Sequence, residues 1–147
     1  MTIRITAFAL TLALLAAGGP ATAQQKSPSV LGQWLTDDRS GIIEIAPCGS
    51  QLCGTLVKVL DPAAPDKDVN NPDPALRNQK LVGVRILSGL QRKDGRWDDG
   101  EAYDPKAGRS YRARIALASP DRLDVTGCVL FVCRIKHWTR VGKDRNR

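Results

Sequence analysis

The sequence predicts an all-β domain of eight short antiparallel strands, with one short helix in a long crossover. Three observations predict it. From residue 32 onward, β-type segments of about five to nine residues alternate with turn residues. Where a segment is regular, it alternates apolar and polar side chains: in YRARIAL, Tyr111, Ala113, Ile115 and Leu117 share one face and Arg112 and Arg114 the other. The four cysteines form two equally spaced pairs, each lying between two strand-like segments. These features fit a barrel or a sandwich.

The first 23 residues are read as an export signal rather than fold. Arg4 gives a basic start, ITAFALTLALLAA an apolar run, and Ala21-Thr22-Ala23 a small-residue cleavage site, so cleavage is expected after Ala23. The apolar run is shorter than the roughly 20 residues of a membrane span, and Gly18-Gly19-Pro20 breaks it. Removing 23 of 147 residues leaves 124, the size of one domain. It removes one positive charge from a net +7, leaving +6. Residues 24–30, QQKSPSV, read as a flexible lead, 31–142 as the domain, and 143–147 as a basic tail. A periplasmic or secreted location follows. No later segment is apolar enough to form a transmembrane helix. The scattered basic residues and the export signal argue against nucleic acid. Nothing in the sequence speaks to oligomeric state.

The strands are expected near 32–36, 41–47, 53–60, 82–90, 95–103, 110–118, 122–128 and 133–141. GIIEIAP and GTLVKVL flank CGSQLC, with Gly49-Ser50 as turn residues, so Cys48 and Cys53 should bridge across a hairpin. RLDVTG and RIKHWTRV flank CVLFVC in the same way, which pairs Cys128 with Cys133. An oxidising compartment favours disulfides over a four-cysteine zinc site. Loops this short lower unfolded-state entropy by only about 2 kcal/mol, so the bridges act mainly as pins on register. Residues 60–83 are rich in Pro, Asp and Asn and form the long crossover. Within it Asp73 caps a short helix that starts at Pro74. Asp104-Pro105 with Gly108, and the ASPDR segment, mark two further turns.

Candidate chemistry is sparse. Asp66, Asp68 and Asn70 alternate as hard-cation ligands do. However, Asn71 stands where a calcium loop needs its glycine and Arg77 where it needs its glutamate. Asp98, Asp99, Glu101 and Asp104 could do acid–base work, but they lie among turn glycines, and a solvated hairpin is the stronger reading. His137, the single histidine, reads better as a packed or rim residue than as a proton shuttle. Ser88 has no nucleophile motif around it, and no GxSxG, HExxH or phosphate loop is present. The sequence calls for no metal and no cofactor, and nothing in it argues for an enzyme.

Trp34 on the first strand and Arg140 on the last become neighbours if the sheet closes. The guanidinium can then lie over the indole and seal one end. Arg134, Lys136, Trp138 and Arg140 share a face, and a lumenal placement would make the cavity unusually basic.

Gly32-x-Trp34 with Arg140 resembles the lipocalin signature. Four blocks, in order, cover nearly the whole mature chain: GQWLTDDRSGIIEIAPCGSQLCGTLV, NPDPALRNQKLVGVRILSGL, RWDDGEAYDPKAGRSYRARIAL and LDVTGCVLFVCRIKHWTRV. Together they resemble the exported bacterial family known as domain of unknown function 2147. That resemblance implies a single eight-stranded lipocalin-like barrel with no assigned reaction and no catalytic residues to carry over. It also implies a cavity for a small ligand. The 5% aromatic content and many arginines favour an amphiphile with an anionic head over a purely apolar ligand. The expected lining is Ile43, Val57, Ile86, Tyr111, Ala113 and Ile115, with Arg140 near the closed end. The alternative is a cell-envelope interaction protein whose basic surface meets anionic glycan, lipid head groups or an acidic protein.

Overall fold

A computed structural model describes residues 28–142. The expected signal segment, most of the lead and the basic tail lie outside the described residues. Eight strands are present: β1 (Gly32–Leu35), β2 (Gly41–Cys48), β3 (Gln51–Val59), β4 (Arg85–Lys93), β5 (Arg96–Asp104), β6 (Arg109–Ser119), β7 (Arg122–Val129) and β8 (Val132–Arg140). They form a closed barrel in chain order, and every pairing is antiparallel. The barrel is thus the observed solution, not the sandwich. Closure joins the first strand to the last.

The closing seam is short. Only Trp34↔Arg140 and Leu35↔Thr139 pair across β1 and β8. The side chains there do more than the ladder. The Arg140 guanidinium lies 4.1 Å from the centroid of the Trp34 ring. It also donates to the carbonyls of Pro120 (2.7 Å), Leu31 (2.9 Å) and Ser29. Trp34 is fully buried, and its indole N–H donates to the Val30 carbonyl at 2.8 Å. One cation therefore ties the N-terminal lead, the β6–β7 turn and the barrel floor together. Gly32 makes this approach possible. Its φ of 109° is strained for an L-residue, and an added Cβ would sit 3.4 Å from Arg140 Nη1.

The disulfides are Cys48–Cys53 and Cys128–Cys133. Their hairpins differ in register. Cys128 is directly opposite Cys133, with Leu130 and Phe131 at the turn. In the β2–β3 hairpin Cys48 is opposite Gln51 and Cys53 is opposite Ala46, so that bridge runs diagonally. β4 starts at Arg85, three residues later than its expected start. Val84 N–H donates to the Leu81 carbonyl and Gly83 takes φ 103°, so residues 81–84 close a turn before the ladder begins. The short helix is a single 3-10 turn at Pro74–Leu76, with Asp73 accepting from Ala75 N–H as its cap.

Arg140→Ala should lower stability by about 2–4 kcal/mol, the combined loss of the indole contact and charged hydrogen bonds. Arg140→Lys should recover less than half, because an ammonium cannot reach three carbonyls while lying flat on a ring. Urea unfolding of the two variants checks both expectations.

Candidate ligand-binding cavity

The barrel interior has two halves. Toward the closed end it is solid: Trp34, Ile45, Leu87, Leu90, Ile115 and Leu123 are essentially without solvent contact. Toward the other end it opens into a cavity of about 760 Å³. Its walls are apolar, with Ile43, Leu56, Ile86, Val125 and Trp138 among them. The β1–β2, β5–β6 and β7–β8 turns and the crossover surround the mouth, contributing Asp37, Asp38, Lys106, Val129 and Lys67. A volume in the range of roughly 300–1,000 Å³ suits a small ligand, and apolar walls with a few polar groups are the usual composition.

β8 supplies the charge. Val132, Arg134, Lys136 and Trp138 all line the cavity, so alternation turns this face of the strand inward. The charged residues sit toward the mouth and Trp138 lies deeper, buried. Lys136 is 3.5 Å from Asp37. Arg134 takes part in no ion pair among the described residues. The basic side chains in the lining, Lys67, Lys106, Arg134 and Lys136, are offset by Asp37, Asp38, Asp61 and Asp104, so the lumen is not the strongly basic space that the shared face suggested. Trp138 Nε1 is buried and has no hydrogen-bond partner among the described residues.

The crossover is fastened to the mouth through a buried carboxylate. Asp68 is 1% exposed. It accepts from Asn71 Nδ2 (2.7 Å), Gln79 Nε2 (3.2 Å) and the Tyr103 hydroxyl (2.8 Å). Burial and the hydrogen bond to Asp68 push the Tyr103 phenol above its usual range. Asn70 Nδ2 reaches the carbonyls of Pro105 (3.3 Å) and Lys106 (3.1 Å). At Gly108 the Asn70 backbone passes so close that any Cβ would collide with it, and φ is 60°. The Asp66, Asp68 and Asn70 pattern is therefore turn and docking chemistry. Among the described residues no cluster of His, Cys, Asp and Glu is placed to hold a metal.

Lys106 clasps the rim. Its ammonium is 2.9 Å from Asp38 and 3.7 Å from Asp61, joining the β5–β6 turn to the β1–β2 turn and the crossover. The hydrogen bond to Asp38 raises the Lys106 pKa. Burial alone would raise the Asp38 carboxyl. Hydrogen bonds from Lys106, from the Ser40 hydroxyl and N–H, and from the Thr36 hydroxyl overcome it and hold Asp38 well below the usual range.

The expected lining is partly corrected. Ile43, Ile86 and Tyr111 do line the cavity. Ala113 and Ile115 are buried in the packed interior but are not in the cavity wall, although their cross-strand partners Gly127 and Val125 are. Val57 is not in the wall. The β2–β3 register shifts between Ile42 and Ile43, pairing Ile42 with Lys58 and Ile43 with Leu56. Val57 is the extra residue of a bulge, and Leu56 and Val59 take the inward places. Arg140 and Trp34 meet at the end of the barrel away from the mouth.

The carboxylates do not converge. Asp98 pairs with Arg96 at 3.0 Å and Asp99 with Lys93 at 3.4 Å, both at the opposite end of β5 from Asp104. The Asp99 N–H bonded to Asp98 is the leading cause of its lowered pKa. Asp104 accepts from the N–H groups of Lys106 and Ala107 and shapes the turn. His137 lies exposed on the outer wall, 2.8 Å from Asp124 and 3.0 Å from Arg122. A second concavity of about 620 Å³ lies at the closed end, between the N-terminal lead and the β2–β3 and β4–β5 turns.

Comparison with known proteins now has a geometry to meet. Residues 32–140, all eight strands, match the model of a family described as "Uncharacterized protein conserved in bacteria (DUF2147)". The chain belongs to the DUF2147 family. No curated protein matches it. Among solved structures this DUF2147 barrel is similar to protein HP1028 of Helicobacter pylori, described as belonging to the lipocalin family. The two share 23% identity and a TM-score of 0.72, over 80% of this chain and 86% of that one. At that identity the likeness shows the fold, a lipocalin-like barrel.

The rim clasp should be sensitive to acid. Asp38 has a folded pKa below its ordinary 3.8, so its contribution is present above about pH 4 and fades as pH falls toward the folded value. Water screens these exposed partners, so the pair is worth at most about 1 kcal/mol. The stability gap between the native chain and Asp38→Asn, followed by denaturant melts, should be steady from pH 7 to 5 and shrink below pH 4.

Proposed function

We propose that this protein binds a small amphiphile, with the apolar chain inside the barrel and an acidic head at the mouth beside Arg134. The observation that carries this reading is the half-filled lumen. Close packing is the rule for protein interiors, and a small barrel can be filled by its own side chains. Here the lower half is filled in that way, while about 760 Å³ of the upper half is left to apolar walls that open at one end.

The head-group preference rests on the balance of charge at the rim. Lys106 and Lys136 are each engaged by aspartates. Among the described residues Arg134 and Lys67 are the lining cations without such a partner; Lys67 donates to Asn78 Oδ1 at 3.3 Å, and Arg134 carries the guanidinium that recognises a carboxylate or phosphate through paired donors. An acid at this position would leave its tail beside Trp138 and Ile86. The exported location expected from the N-terminal segment would place the protein where amphiphiles of the cell envelope are available.

Titration calorimetry with dodecanoate and dodecanol tests the reading. Dodecanoate should bind more tightly, and Arg134→Glu should weaken it about tenfold, or about 1.4 kcal/mol, while leaving dodecanol little changed. Gly127 lines the cavity, and a Cβ there meets only Tyr111 Cβ at 3.8 Å. Gly127→Leu should therefore fill the lumen and abolish both affinities without unfolding the barrel. Dodecanoate affinity unchanged in Gly127→Leu would overturn the lumenal site.

A further inference from the structure

The β7–β8 hairpin ends in an apolar tip whose outermost residues, Leu130 and Phe131, take no part in the ligand-binding reading. Leu130 and Phe131 are 87% and 99% exposed, and Val129 and Val132 beside them are 55% and 67% exposed. Single exposed apolar residues are ordinary, but four in succession at the end of a projecting hairpin are not. The backbone makes the choice more costly. Leu130 takes φ 52°, a region where glycine or asparagine is at ease and a branched apolar residue is strained. A residue unfavourable for both solvation and backbone conformation, at a rigid and prominent position, points to a use.

The tip cannot fold away. Cys128 and Cys133 are opposite each other and bridged, and Val129 pairs with Val132 directly above them. This staple holds Leu130 and Phe131 clear of the barrel. The tip is a projection, so it must enter something rather than receive it. Its surroundings are basic. Arg134 follows on the same hairpin, and exposed Arg112 is opposite Cys128 on the neighbouring strand. Neither is in an ion pair among the described residues. An apolar wedge with free cations behind it complements an anionic lipid surface: the side chains reach the acyl boundary while the guanidiniums meet the head groups. A second copy of this chain would instead present more positive charge.

We infer that the β7–β8 tip docks the barrel on an anionic bilayer, inserting Leu130 and Phe131 with Arg112 and Arg134 on the phosphates. Val129 and Val132 also line the cavity, so docking would hold the barrel mouth against the lipid. Leu130 and Phe131 are not in the cavity wall, so their insertion does not depend on what the cavity holds, whereas Arg134 is shared with that reading.

The test is flotation of the disulfide-bonded mature protein with vesicles of phosphatidylcholine alone or with phosphatidylglycerol added. The native chain should float with the anionic vesicles, and raised salt should weaken the association. Leu130→Gly with Phe131→Asn places glycine at the one turn residue with positive φ, so the hairpin should fold at least as well, while vesicle affinity falls tenfold or more. Phe131→Trp should shift its emission to the blue on anionic vesicles. Gly127→Leu should float like the native chain, which separates this inference from the cavity reading. Equal flotation of the turn variant, or no flotation of the native chain, overturns the inference. Self-association seen by ultracentrifugation, lost in the turn variant and without vesicle binding, would assign the tip to a second copy instead.

Discussion

The contact of Arg140 with Trp34 is the constraint on which the rest of the structure depends. Two residue pairs are a thin seam for an eight-stranded barrel. Without Arg140 to bind the indole face and three carbonyls, β1 would be a four-residue edge strand. With it, the floor is fixed. A fixed floor sets the register of β8, and that register decides which of its side chains face the lumen. Trp138, Lys136, Arg134 and Val132 follow at every second position from Arg140 to the mouth. The closed end and the chemistry of the open end are thus two ends of one strand.

Much of this could be read from the chain. The eight segments, both disulfides and the meeting of Trp34 with Arg140 are local or near-local signals: alternation, turn residues, paired cysteines and the first and last strands of a closed sheet. What could not be read is set by long-range packing. Val57 lost its inward place to a bulge on β3 opposite Ile42 and Ile43, and a one-residue shift exchanges the faces of a strand. Ala113 and Ile115 point inward as alternation requires, yet alternation cannot say how deep the floor reaches. The inward face of β8 had no such clue, because its residues are basic rather than apolar. The exposed tip was written plainly in CVLFVC, where apolar residues occupy a turn between bridged cysteines.

The polar residues of the crossover show how easily binding chemistry can be mistaken. Asp68 is buried, acidic and flanked by further acids and amides. In the structure, donors from Asn71, Gln79 and Tyr103 occupy its oxygens. It fastens a loop, and the loop frames the mouth. Buried polar groups are costly unless paired, and this one is fully paired. Trp138 is the opposite case, a buried donor without a partner among the described residues, lining the open half of the barrel.

The three tryptophans give the most direct test of a ligand in the upper lumen. Trp34 is in the floor, Trp97 borders the concavity at the closed end, and Trp138 lines the cavity. Their indole N–H signals can be followed separately by proton–nitrogen NMR as dodecanoate is added. With the chain in the open half of the barrel, the Trp138 signal should shift while those of Trp34 and Trp97 stay in place. Movement of Trp97 alone would put the ligand at the closed end and contradict a lumenal site, and three unmoved signals at saturating dodecanoate would contradict binding by the barrel altogether.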